Sequence, residues 1–118
     1  MASFIKNVIV AQEGIRTFFR TERNGRIQGL IAIITVVLGF MFGIEPREWI
    51  WVLGCIVMVI SLEMINSAIE KICNIITTDY SPAIKTIKDM AAGAVLFSSI
   101  VAAIIGSIIF LPYILRLF

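Results

Sequence analysis

Histidine is absent from all 118 residues, which excludes zinc sites of the common kinds. Cysteine is scarce. Cys55 and Cys73 lie eighteen positions apart on what reads as one helix, a separation of about 27 Å that forbids a bond between them within the chain. Both read as small apolar filler. Charge is thin as well, at 15% of residues with a net of +2, too weak a balance to argue for a nucleic-acid partner. No Walker A loop and no kinase-type glycine-rich loop occurs, since Gly25 and Gly29 stand isolated. Internal repeats, low-complexity runs and dividing linkers are also missing, so residues 1–118 are expected to form one domain. The first 26 residues carry Lys6, Arg16, Arg20, Arg23 and Arg26 without a sustained apolar stretch before Ile27. No cleavable signal is visible there, and this N-terminus is expected to be retained.

What the chain has in excess is apolar surface: 59% hydrophobic residues and a mean hydropathy of +0.99. So short a chain cannot bury that much inside a water-facing globule, and the surplus must face lipid. Three spans are predicted, at about 27–44, 49–76 and 83–115. Gly43 and Pro46 break the first from the second, and Asp79 and Pro82 punctuate the turn before the third. Trp49 and Trp51 fall where indoles favour a membrane interface. Five basic residues precede the first span and Lys71, Lys85 and Lys88 lie around the second turn, against only Arg47 and Arg116 on the other side. The positive-inside rule therefore places the N-terminus and the second turn in the cytoplasm. Upstream, residues 4–21 alternate apolar and charged positions as an amphipathic helix does, either on the inner leaflet or packed over the helix ends. Ala91, Ala94, Ser98, Ala102 and Gly106 form a row of small residues in the last span. Such rows let helices approach closely in lipid, and self-association is the economical expectation.

The chemistry lies in residues 61–74, SLEMINSAIEKICN. Glu63, Asn66, Ser67, Glu70 and Asn74 follow three/four helical spacing and form one stripe on an otherwise greasy helix. Carboxylates at membrane depth cost several kcal/mol unless used or paired. Counted from Trp49 at 1.5 Å per residue, Glu63 lies about 21 Å and Glu70 about 31 Å along the helix. Across a core of about 30 Å, that places Glu63 at lipid-headgroup depth and Glu70 at the aqueous boundary. Glu22, just before the first span, and Lys85, Lys88 and Asp89, at the start of the third, belong to the same level. Carboxylate oxygens suit magnesium, and a lysine there would neutralise a transferring phosphoryl group. The blander readings are a surface Lys85–Asp89 pair and inter-helical hydrogen bonding by Asn66 and Ser67. Spacing alone leaves an enzyme, a small ion-coupled transporter and an assembly subunit all open.

GIRTFFRTERNGRI, then EMINSAIE, then KDMAAGAV, taken with the three-span layout, resemble the prokaryotic diacylglycerol kinase and undecaprenol kinase family over nearly the whole chain. The resemblance implies an all-α integral-membrane lipid kinase. Three transmembrane helices would follow an amphipathic surface helix, in a homotrimer with composite sites on the cytoplasmic face of the inner membrane. ATP would be co-substrate, Mg2+ the cofactor and a lipid alcohol the acceptor. By the match, Glu63 takes the place of the general base and touches the lipid. Glu22 and Glu70 take the places of the metal-binding glutamates that hold Mg-ATP. Lys88 and Asp89, with the turn Asp79, Tyr80 and Ser81, fall on nucleotide-contacting positions. Asn66 and Asn74 support the site, and Arg16, Phe19 and Arg26 fall on positions lining the lipid side. Three departures stand out. Asn74 replaces a usual aspartate, Ser81 a frequent histidine, and Gln28 a glutamate or histidine. The implied consequence is altered nucleotide affinity, with a catalytically impaired member as the alternative. The Ile69-Glu70-Lys71 run leans toward the undecaprenol branch.

Overall fold

The computed structural model describes residues 1–118 as four helices: α1 (Ala2–Thr21), α2 (Arg23–Phe42), α3 (Pro46–Ile76) and α4 (Pro82–Leu115). The all-α expectation holds, and α2, α3 and α4 are each long and apolar enough to cross a membrane. Helix starts fall earlier than the predicted spans because polar turns remain helical where hydropathy alone stops, whereas α2 ends at Phe42, short of the predicted 44. Residues 23–26 form the first turn of α2, and the only break before it is Glu22, whose backbone is extended at φ −103 and ψ 118. Gly43 closes α2 at φ 61, a left-handed conformation that glycine adopts without a Cβ penalty. The Ile44 N–H then reaches back to the Gly39 carbonyl at 3.1 Å. Pro46 opens α3 three residues earlier than expected, and the Glu45 N–H donates to Glu48 Oε1 at 2.9 Å, one half of a capping box. Ser81 precedes Pro82 at the start of α4 and accepts from the Ile84 N–H at 3.4 Å.

α3 lies between α2 and α4, and α1 packs chiefly on α2. The apolar core sits at the α2–α3 turn, where Ile44, Val52, Ile109 and Phe110 bury one another. The Tyr113 hydroxyl ties α4 to α3 there by donating to Glu48 Oε1. At the opposite end α1 folds against α2 through buried Phe18, whose ring lies where a Cβ on Gly25 would come within 2.6 Å. Only Gly admits that approach. Just 12 of the 118 residues are buried, so the apolar flanks of the spans are left for lipid or for other copies of the chain. The small-residue row does not close these gaps. Ala94, Ser98 and Ala102 instead line an open groove between α3 and α4.

Candidate active site

Three polar side chains are buried side by side on α3: Glu63 is 4% exposed, and Asn66 and Ser67 7% each. Their spacing puts them on one helix face, and that face is turned to the α1–α2 joint. The Asn24 side chain, from the first turn of α2, lies beside Glu63, and Glu22 and Glu70 are the carboxylates close enough to act on Glu63 through charge. Asn66 Nδ2 donates to Glu70 Oε1 at 3.4 Å, while Asn66 Oδ1 is buried without a partner. Lys71 Nζ meets Glu22 Oε1 at 3.1 Å, tying the extended residue between α1 and α2 to the far end of α3. Lys88 Nζ donates to Asn74 Oδ1 at 2.7 Å, which brings the first turns of α4 to the same end of the bundle.

Glu22, Glu63, Asn66 and Glu70 are thus gathered at one place, with Asn74 and Lys88 one turn further along. The other predicted residues are placed differently. Asp89 bonds Lys85 on an exposed face, as the bland reading of that pair has it. Arg16 pairs with Glu13 at 3.0 Å, also on the surface. Arg26 donates to the Arg20 carbonyl at 2.8 Å and the Phe19 carbonyl at 3.4 Å, so its guanidinium holds the C-terminal carbonyls of α1 that lack helical donors. Phe19 stacks edge-on against Phe18 at 5.1 Å between centroids and faces Gly29. The Asp79 N–H donates to Thr77 Oγ1 at 3.0 Å, Tyr80 is exposed, and Ser81 serves as the cap of α4.

Sequence reasoning missed two members of this cluster, Asn24 and Lys71. Lys71 was legible in principle, since 63, 67 and 71 are i, i+4 and i+8 and share the stripe. Asn24 carried no periodic signal, because only the fold brings the start of α2 to the middle of α3.

A sequence profile described as prokaryotic diacylglycerol kinase matches residues 9–110. The chain belongs to that family. An undecaprenol kinase from Bacillus subtilis is 38% identical over 109 residues, covering 92% of this chain and 89% of that protein. A diacylglycerol kinase from Synechocystis is 32% identical over 91% of this chain and 62% of its own length. The Escherichia coli diacylglycerol kinase is 28% identical over 85% of this chain and 82% of its own. As a member of the prokaryotic diacylglycerol kinase family, the protein is an enzyme, a phosphotransferase, and it is a multi-pass membrane protein.

Proposed function

We propose that the protein transfers the γ-phosphate of Mg-ATP to the hydroxyl of a membrane lipid alcohol. The observation that carries this reading is the grading of the cluster: Glu63 is buried, while Glu70, two turns along the same helix, is exposed. A base for a lipid hydroxyl needs the first environment, and groups that receive a water-soluble nucleotide need the second. Glu63 takes the hydroxyl proton as the lipid oxygen bonds to the γ-phosphorus, and the bond to the β–γ bridging oxygen breaks to release ADP. Lys88 is held by a neutral acceptor, Asn74, so its charge stays available to the phosphates. Asp89, Asp79, Tyr80 and Ser81 border the same end and are assigned to nucleotide, with the Asn66 amide steadying Glu70.

No three acidic side chains stand close enough to hold an ion by themselves, but the donor chemistry suits magnesium shared with substrate phosphates. Glu22 and Glu70 supply the one or two carboxylates that ion takes when substrate phosphates complete its shell, and the partnerless Asn66 Oδ1 can accept from one of its waters. Once bound, the metal supplies charge neutralisation to the polyphosphate. Arg16, Phe19 and Arg26 are assigned to the lipid side, a reading supported only by the family resemblance of these positions. An apolar cavity of about 410 Å³ between α2, α3 and α4, which Gln28 also lines, is suited to an acyl or prenyl chain. Undecaprenol is the favoured acceptor, supported by the higher identity to the Bacillus subtilis undecaprenol kinase than to the diacylglycerol kinases. Residues 1–118 act as one domain, working as a homotrimer in the inner membrane with the site facing the cytoplasm. The positive-inside bias and the exposed apolar flanks support that arrangement.

The test is transfer from radiolabelled ATP in mixed micelles containing undecaprenol or diacylglycerol, side by side. Labelled lipid phosphate, more with undecaprenol, is expected. No labelled lipid with either acceptor refutes the reading.

A further inference from the structure

Lys71 is the one cation paired with the glutamate cluster. Among the four ion pairs of the chain, only Lys71–Glu22 involves Glu22, Glu63 or Glu70. Its two partners are unequally held. The Glu22 side chain is 25% exposed and the Lys71 side chain 54%, and Glu22 is pinned at the α1–α2 joint, where its carbonyl accepts from the Arg26 N–H at 3.2 Å. The ammonium, on a flexible four-carbon stem, is therefore the mobile member. It occupies the Glu22 carboxylate that a divalent cation would also use. Lys71 is paired with Oε1 of that carboxylate, and a divalent cation arriving beside it repels the ammonium strongly, so metal binding at Glu22 favours its departure. A second observation points to a ligand at this place: Asn66 Oδ1, on a side chain more than nine-tenths buried, has no partner.

We propose that Lys71 is a phosphate-binding residue, which serves as counter-ion to Glu22 in the nucleotide-free protein and passes to the polyphosphate when Mg-nucleotide arrives. The proposal rests on the reading of Glu22 as a metal-holding residue. Its logic is charge conservation within the cluster. Without nucleotide, Lys71 keeps Glu22 from facing Glu63 and Glu70 as a third uncompensated negative charge. With nucleotide, a metal held by Glu22 would take over that task and leave the ammonium, on its flexible stem, free to pair with phosphate. Lys71 thereby opposes free divalent metal but favours the metal–nucleotide complex. A merely structural lysine, stapling α3 to the α1–α2 joint, would do neither.

The full chain in detergent micelles is compared with Lys71→Gln and Lys71→Arg, with Lys6→Met as a control distant from the cluster. Manganese alone, followed by its electron paramagnetic resonance signal, probes the metal site, and the KM for Mg-ATP probes the phosphates. Lys71→Gln is expected to bind free manganese about fivefold more tightly, the scale of losing a partly exposed ion-pair competitor. It is expected to raise the KM for Mg-ATP about tenfold, the scale of one lost bond to a charged group. Lys71→Arg, which keeps the charge, should restore most of the nucleotide affinity. Opposite movement of the two constants supports the exchange. Unchanged constants in Lys71→Gln overturn it, as does weakening of both in a variant of unaltered helicity. If the unmutated protein binds no manganese, it is the assignment of Glu22 that fails. Should Lys71→Gln lose its fold, the decision passes to Lys71→Arg. Because the competing charge is kept, its free-manganese affinity should stay within about twofold of the unmutated value, and tighter manganese binding or a tenfold rise in the KM for Mg-ATP overturns the proposal.

Discussion

Glu63→Gln is the sharpest perturbation of the proposed chemistry, because it removes the proton acceptor while changing almost nothing else. Glutamine has the same length and volume, so the nearly inaccessible pocket around position 63 gains neither void nor overlap. The helix loses no propensity, since Glu and Gln rank together. The cluster also becomes less negative. With Glu22 and Glu70 nearby, removing one of three carboxylates relieves repulsion, so the substitution should not unfold the chain. What is lost is the general base, worth about 10²–10⁴ in rate, or roughly 3–5 kcal/mol of transition-state stabilisation.

The assay is initial-rate transfer at saturating lipid alcohol with Mg-ATP varied. kcat is expected to fall by that factor, with the KM for Mg-ATP within about twofold of the unmutated value, because a loss confined to the transition state leaves ground-state binding untouched. Magnesium dependence should also keep its midpoint. A variant retaining more than a tenth of the activity would remove Glu63 from the role of base. A parallel rise in KM would instead place it among the nucleotide contacts and reverse the order of depth on which the mechanism depends.

Three further outcomes are expected. Asn74→Asp should keep transfer activity and lower the magnesium concentration for half-maximal rate by about threefold, since it adds a carboxylate one turn from Glu70 in a partly aqueous setting; an unmoved midpoint in a magnesium titration would place Asn74 outside the field of the site. Arg26→Met should speed hydrogen exchange at the C-terminal end of α1 and reduce transfer several-fold, because the Arg20 and Phe19 carbonyls lose their donor and the joint carrying Glu22 loosens; exchange rates like those of the unmutated protein would refute the capping role. Gly43→Ala should destabilise the chain by about 1–2 kcal/mol, the cost of a left-handed conformation for a residue with a Cβ. No atom lies within 4 Å of that Cβ, so the backbone is the only source of the penalty; an unchanged midpoint in thermal unfolding would count against it.

The helices and the α3 stripe were legible because lipid and helix both impose strict periodic rules. A bilayer demands unbroken apolar runs, and a helix turns residues 63, 66, 67 and 70 to one face. Helix starts were less legible, since Arg23, Asn24, Pro46 and Arg47 are polar or breaker residues by composition yet helical, the latter two behind the Glu45–Glu48 capping box. Arg26 illustrates a deeper limit. A basic residue ahead of a span reads equally well as a lipid contact or as a topology signal, and nothing local announces that its guanidinium will find carbonyls six and seven positions upstream. Asn24 was out of reach for a related reason. Its partner Glu63 lies 39 positions away, and the two meet only because a single extended residue, Glu22, sets the angle at which α2 leaves α1.

That division between ends has an energetic consequence. The end of the bundle at the α2–α3 turn carries the interlocked apolar core of Ile44, Val52, Ile109 and Phe110, whereas at the Glu63 end isolated buried apolar residues such as Phe18 and Cys73 are joined by single polar links such as Lys71–Glu22 and Lys88–Asn74. Links of this kind contribute little to stability when partly exposed, and they can be exchanged for a ligand without unpacking anything. Truncating Phe110 to alanine should therefore lower stability by about 3 kcal/mol or more through a lost buried ring. Lys71→Gln should leave stability nearly unchanged and act on ligand affinity. If the reverse were found, with unfolding sensitive to Lys71 and indifferent to Phe110, the polar links would be the scaffold, and their proposed freedom to change partners during turnover would be lost.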